Sequence, residues 1–206
     1  MTRWSQDDRG PYIRMVPTGR KSYLLHPTPA DYRLDEIAWH AGGVNRYTGG
    51  SRLSIAQHML VGALMADQFY PDNKLLPHRF LIHDIAETKL GDVSSPLKAI
   101  LGDSYRELEA QHDLVIEEKF GVTFLGIPEV KELDDRMWLT ERLVVYRDAL
   151  DKGVDISEDT RHLDIEPFPL PREELDMYFK PWGADKASTL YLMALLEAFG
   201  PRKETN

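Results

Sequence analysis

Phe80-Leu81-Ile82-His83-Asp84-Ile85-Ala86-Glu87 is the stretch on which the fold of this chain turns. It lies inside a segment, about Leu75 to Leu90, that contains Phe80-Leu81-Ile82, apolar on all sides, and is closed by Gly91. Such a pattern predicts a buried central helix. His83 and Asp84 are polar where that pattern wants apolar residues, and a buried imidazole or carboxylate is costly without a partner. Working outward, Ser54 and Gln57 form a capping-box pattern. The helix they open is predicted to run to about Tyr70, with Ile55, Met59 and Met65 inward and His58 on it. Pro128 opens another helix, to about Leu150, in which Asp134 shares a face with Val130, Met137, Trp138 and Glu141. One divalent cation can satisfy all four polar groups together. Two imidazole nitrogens and two carboxylate oxygens suit Zn2+, Mn2+, Co2+ or Fe2+.

The remaining pattern is also helical. Residues 1–28 read as N-terminal loops with a short extended pair around Tyr12–Val16 and Ser22–Leu25. Asp31–His40 is predicted helical and stopped by Gly42 and Gly43. Ser95-Pro96 starts a short helix to Leu101, and Asp103 caps one that runs to Phe120 and closes at Gly121. Asp151–Pro171 reads as a charged, proline-rich surface loop or lid, followed by helices Glu173–Phe179 and Ala184–Phe199. The expectation is an all-α single domain over residues 1–206, with 151–206 packing on the core as a loop and helices.

Composition narrows the chemistry. No cysteine is present, which excludes disulfides, thiolate metal sites and a Cys nucleophile. A formal net charge of −9 argues against a nucleic-acid polymer as partner. It leaves room for a small phosphate ligand. The first 20 residues lack the apolar stretch of a signal peptide and no run reaches membrane-spanning length, so a cytoplasmic protein without membrane contact is expected.

Several residues near the His–Asp pair gain interest from position. Glu87 is one helical turn after His83, so it can stand beside a water held at a cation. Arg46, in Asn45-Arg46-Tyr47-Thr48-Gly49-Gly50, is offered by a tight loop suited to bidentate phosphate capture. Lys98 follows the His–Asp stretch, and Lys131 lies three residues before Asp134. A second doublet, His112–Asp113, sits among Glu107, Glu109, Glu117, Glu118 and Lys119 and reads as part of a solvated structural face.

With these residues in hand, the chain resembles the HD-domain phosphohydrolases, whose H…HD…D signature matches His58, His83-Asp84 and Asp134. Within that superfamily it is similar to the 5′-deoxynucleotidase branch and to phage-type dATP triphosphohydrolases. The likeness runs from about Tyr12 to Leu150. It is carried by Asp35-Glu36-Ile37-Ala38, Asn45-Arg46-Tyr47, Ser54-Ile55-Ala56-Gln57-His58, His83 through Lys98, and Val130-Lys131-Glu132-Leu133-Asp134. The resemblance implies an HD-type helical bundle around a buried metal site, with His58, His83, Asp84 and Asp134 as ligands of one Zn, Co or Mn ion and Mg as a further candidate. It implies Glu87 as the catalytic carboxylate, Asp92 accepting from a sugar 3′-hydroxyl, Arg46, Lys98 and Lys131 on phosphate, and Pro96 lining a base pocket. The sequence departs from the branch in two places. Tyr47 stands where those enzymes usually carry Trp, and the loop from Arg46 to His58 is shorter; both departures bear on sugar and base selectivity and leave the metal site intact.

The expected reaction is metal-dependent hydrolysis of the 5′-phosphate ester of a deoxynucleotide, dATP (releasing triphosphate) or dAMP (releasing phosphate), with Arg46, Glu87 and Asp92 as its catalytic group. A general deoxynucleotidase, an alarmone or cyclic-nucleotide hydrolase, and a non-catalytic nucleotide-binding module are the alternatives. The expected partner is a small-molecule nucleotide, in the host's cytoplasm if the gene is phage-borne. Leu190, Leu192, Leu196 and Phe199 on the last helix can serve either a homo-oligomer contact, which the relatives make, or packing on the core, the reading favoured here.

Overall fold

A computed structural model describes residues 5–160 and 164–201. Among these residues the chain is mostly helical, with ten α-helices and three short strands. The N-terminal strands β1 (Gln6–Asp7), β2 (Gly10–Arg14) and β3 (Lys21–Tyr23) form an antiparallel sheet in the order β1-β2-β3, with Tyr12 opposite Tyr23 and Ile13 opposite Ser22. This is the expected extended pair with one strand added. Its turn is tied to the helical body by Glu36, a buried carboxylate that pairs with Arg20 at 3.3 Å and accepts from the Thr18 hydroxyl.

The helices are α1 (Leu34–Gly43), α2 (Ile55–Phe69), α3 (Leu76–Phe80), α4 (Glu87–Leu90), α5 (Ser95–Leu101), α6 (Asp103–Phe120), α7 (Pro128–Val145), α8 (Arg147–Asp151), α9 (Arg172–Phe179) and α10 (Ala184–Phe199). The centre is α2, packed by α1, α3, α7 and α10. Ile55, Met59, Val61 and Met65 on it are wholly buried, in one apolar cluster that extends from Tyr32 to Leu195. Ser54 caps α2 by accepting from the Gln57 amide at 3.2 Å. The reciprocal half of the expected box is not made. Gln57 Nε2 instead donates to the Tyr178 and Lys180 carbonyls, and its Oε1 accepts from Trp182 N, which clamps the α9–α10 connection onto α2.

The expected continuous helix from Leu75 to Leu90 is broken. Residues 81–86 form successive turns, with Ile85 N on Ile82 O and Glu87 N on Asp84 O. The Phe80 carbonyl accepts from His83 Nδ1 at 2.7 Å, a local side-chain bond that competes with the helical ladder. An all-apolar pattern reports burial, and Phe80, Leu81, Ile82, Ile85 and Ala86 are indeed buried, but it does not specify a helix.

Glycines at two helix contacts act through space. Gly42 does not stop α1, which runs on to Gly43; a Cβ at position 42 would lie 2.1 Å from Ser188 Oγ on α10. Gly62 on α2 leaves room for the Phe80 ring, 1.9 Å from where a Cβ would stand.

The other boundaries follow the sequence closely. Gly121 closes α6 in the left-handed conformation, φ 65°. The helix opened by Pro128 is interrupted at Tyr146, which separates α7 from α8. The stretch after Asp151 is more than a surface loop: Phe168 is buried and its amide donates to Thr140 Oγ1 at 2.9 Å. Part of it, residues 161–163, lies outside the described residues. On α10, Tyr191 and Leu195 are buried, Leu190, Leu192 and Phe199 are half-buried, and Leu196 is exposed. His112 departs from its expected solvated face. It is buried between Tyr32 Oη and the Leu24 carbonyl and pins α6 to the N-terminal segment. No described helix is long and apolar enough to cross a membrane.

Candidate metal centre

Helix α2 carries His58 into the core, wholly buried. The turn after α3 brings His83 beside it, and α7 brings Asp134 from the other side. His58 Nε2 lies 3.4 Å from His83 Nε2 and 3.4 Å from Asp134 Oδ1; His83 Nε2 to Asp134 Oδ1 is 3.8 Å. Asp84 adds Oδ2, 3.3 Å from His83 Nε2 and 3.7 Å from His58 Nε2. Donors on one four-coordinate cation with bonds of about 2.0–2.2 Å stand roughly 3.3–3.6 Å apart. Three of the observed spacings, 3.3, 3.4 and 3.4 Å, fall in that range, and the other two, 3.7 and 3.8 Å, lie just above it.

The outer ring nitrogens complete the case. His83 Nδ1 donates to the Phe80 carbonyl, and His58 Nδ1 lies 2.7 Å from Glu141 Oε1. With a proton on each Nδ1, a neutral ring turns the Nε2 lone pair inward. Two lone pairs and two carboxylate oxygens then face one another, which is stable only around positive charge. Titration behaviour points the same way. Burial opposes charge on His83, but Asp84 and Asp134 override it and hold its pKa well above the imidazole range. Burial likewise opposes the charge on Asp134 and Asp84, yet the histidines hold Asp134 well below the carboxylate range and Asp84 at about 2. The buried His58–His83–Asp134 group can hold a metal ion. Asp84 is shared, since its Oδ2 is also 3.4 Å from Arg46 Nη1.

The other expected site residues differ in what they touch. Glu87 opens α4, is 8% exposed, and its Oε2 has no hydrogen-bond partner among the described residues. Burial first, then the charge of Asp84, pushes its pKa well up. Arg46 reaches the cluster from the loop, with Nε 3.0 Å from Glu141 Oε2. Tyr47 Oη donates to the same oxygen at 3.4 Å, and its ring meets Tyr146 edge-on. Asp92 Oδ2 accepts from Thr48 N at 2.8 Å, tying α4's end to the arginine loop. Lys98 turns to Glu109 Oε1 at 2.6 Å. Pro96 is exposed on the first turn of α5 and lines no described pocket. Lys131 is 69% exposed and pairs with Asp135. It nonetheless edges a cavity of about 350 Å3 whose walls are Phe124, Leu125, Ile127, Pro128 and Val130 and which reaches His83 and Asp134.

Glu141 is the site residue that the sequence reading passed over. It is wholly buried and two turns beyond Asp134 on α7. That spacing, a second carboxylate on the buried Val130–Met137 face, is the signal that marks it. Burial works against its charge, but Arg46 and His58 hold its pKa low.

The fold and the cluster define a mostly helical protein with a buried histidine–carboxylate centre able to take a cation. No family model matches the chain. It is 34% identical over 113 residues to the uncharacterized protein RCAP_rcc00048 of Rhodobacter capsulatus, across 51% of this chain and 56% of that protein. It is 31% identical over 127 residues to the uncharacterized protein YfdR of Escherichia coli, across 61% of this chain and 67% of that protein. The chain belongs to the family of the E. coli protein, and it spans just over half of the R. capsulatus one.

Proposed function

We propose that this protein is a metal-dependent phosphohydrolase of the HD type acting on a deoxynucleotide. The observation that carries the proposal is the convergence of His58 Nε2, His83 Nε2 and Asp134 Oδ1 within 3.4–3.8 Å, with Asp84 Oδ2 3.3 and 3.7 Å from the two imidazole nitrogens and a buried Glu87 whose Oε2 has no hydrogen-bond partner among the described residues. The four residues would hold a divalent cation, which supplies Lewis-acid polarisation of a phosphate oxygen and lowers the pKa of water toward neutrality. Glu87 is three residues from Asp84 and has a free oxygen, so it accepts the proton of the attacking water. Its raised pKa suits it to keep that proton until the leaving group needs one.

Arg46 offsets charge that develops on the phosphoryl group, because its guanidinium is fixed in place by Glu141 and Asp84 before substrate arrives. Lys131 and Lys98 add positive charge on two sides, each after leaving a carboxylate partner, Asp135 or Glu109. Asp92 accepts from a sugar hydroxyl. The cavity beside His83 and Asp134 has apolar walls suited to the uncharged part of an ester whose phosphate sits at the donors. Deoxyadenosine mono- or triphosphate is the favoured substrate, on the strength of the resemblance.

The test is product analysis by ion-exchange chromatography after incubation with ribo- and deoxynucleoside mono- and triphosphates, with Mn2+, Co2+ or Zn2+ added. Release of phosphate or triphosphate from deoxyadenosine nucleotides is expected, with Glu87→Gln losing turnover while keeping Co2+ binding. No release from any nucleotide with any of these ions overturns the enzyme reading, and equal turnover of ribo- and deoxynucleotides overturns the sugar preference.

A further inference from the structure

Glu141 touches both halves of the site at once. Its Oε1 is 2.7 Å from His58 Nδ1, while its Oε2 is 3.0 Å from Arg46 Nε and 3.4 Å from Tyr47 Oη. The side chain is wholly buried, so bulk solvent does not reach these contacts. On the other side of the carboxylate lies an unusual loop. Tyr47 and Thr48 hold φ of 61° and 55°, left-handed values that non-glycine residues adopt only when their surroundings impose them. The loop is held by its own turn bonds, among them Gly49 N on Asn45 O at 3.2 Å and Gly50 N on Tyr47 O at 2.8 Å, by Arg46 N on Leu53 O at 2.8 Å and Thr48 N on Asp92 Oδ2 at 2.8 Å, and by the contacts of Arg46 and Tyr47 with Glu141.

We infer that Glu141 is a positioning residue that joins the cation site to the arginine loop, so that filling the His–Asp cluster and ordering Arg46 are one coupled event. The inference rests on the reading that the cluster holds a cation. The chemistry requires a carboxylate. His58 Nδ1–H needs an acceptor to keep Nε2 pointed at the cluster, and the guanidinium needs a buried counter-charge. A glutamine oxygen can serve the histidine, but its NH2 then meets the Arg46 donors. Coupling follows from the shared anion. Charge placed on the His58 ring by a cation at Nε2 strengthens its bond to Oε1 and fixes the plane of the carboxylate. The same plane sets the direction in which Oε2 holds Arg46.

The experiment titrates Co2+ alone into metal-free wild type and Glu141→Gln. It follows the visible ligand-field bands and the hydrogen exchange of amides 46–49. Wild type is expected to show Co2+ bands and slower exchange of those amides on binding. Glu141→Gln is expected to bind Co2+ 10–100-fold more weakly, with altered bands, and to lose the cation-dependent protection of the loop. Should Glu141→Gln fail to fold, the double variant Arg46→Met with Glu141→Gln removes both charges of the Arg46–Glu141 pair and is expected to bind Co2+ more weakly than wild type, because a neutral amide does not answer the charge that a cation places on the His58 ring. Wild-type affinity and band shape in whichever variant folds overturns the role of Glu141 alone. Absence of Co2+ binding by wild type overturns the metal reading and this inference with it.

Discussion

Gly62→Ala tests how the core holds the site, because one methyl group reaches the imidazoles through a single ring. The added Cβ would stand 1.9 Å from Phe80 Cε1 and 2.3 Å from Cδ1. Ordinary carbon contact is about 3.5 Å, so the ring must retreat by about 1.6 Å. Phe80 is wholly buried in a packed core, and overpacking of this kind costs about 3 kcal/mol at the upper end of its range. Alanine regains about 1 kcal/mol of helix propensity over glycine. The net loss is about 2 kcal/mol, or a fall in Tm of roughly 4–8 °C for a chain of this size. The ring's neighbours transmit the shift, since its centroid is 4.1 Å from that of His83 and 5.2 Å from that of His58. A donor cluster only 3.4 Å across at the two Nε2 atoms cannot absorb such a movement, so Co2+ affinity should fall about tenfold or more. Urea denaturation of the metal-free protein measures the first effect and Co2+ titration the second. Unchanged stability together with unchanged Co2+ affinity would refute the argument that Phe80 is the strut between α2 and His83.

Asp113 should make the metal-free protein less stable as pH rises. Burial, then the charges of Glu109 and Asp84, lift its pKa from 3.8 to about 7 in the folded state. The folded chain therefore holds a proton that the unfolded chain releases. The resulting stability is complete below pH 3.8 and is lost as pH rises to about 7. Asp113→Asn should gain on the order of 2 kcal/mol over wild type on going from pH 5.5 to 8 in urea denaturation with chelator present; an identical pH dependence in both proteins would sink this account. Metal should stabilise the fold: at 100 times its Kd, Co2+ should add about 2.7 kcal/mol, seen as a higher Tm than in chelator. His83→Ala should lose that increment while remaining folded, and an equal Tm rise in the variant would place the ion elsewhere.

The sequence alone determined the helical class and most helix ends. Ser54, Gly121 and Pro128 act on their own neighbours through caps, a left-handed stop and a fixed φ, so their effect is written in a few consecutive residues. It also singled out His58, His83 and Asp134, because a polar group inside an apolar period carries a cost wherever the helix later docks. The tertiary structure decided what those groups meet. Glu141 lies 83 residues from His58 and 95 from Arg46, and no local pattern ranks one distant acid over another. Only packing showed that Gly42 and Gly62 are contact points, that His83 takes the Phe80 carbonyl and opens the predicted helix into turns, and that Lys98 faces Glu109. Periodicity records how a segment divides between core and water, whereas partners are chosen by the joint fit of elements far apart in the chain.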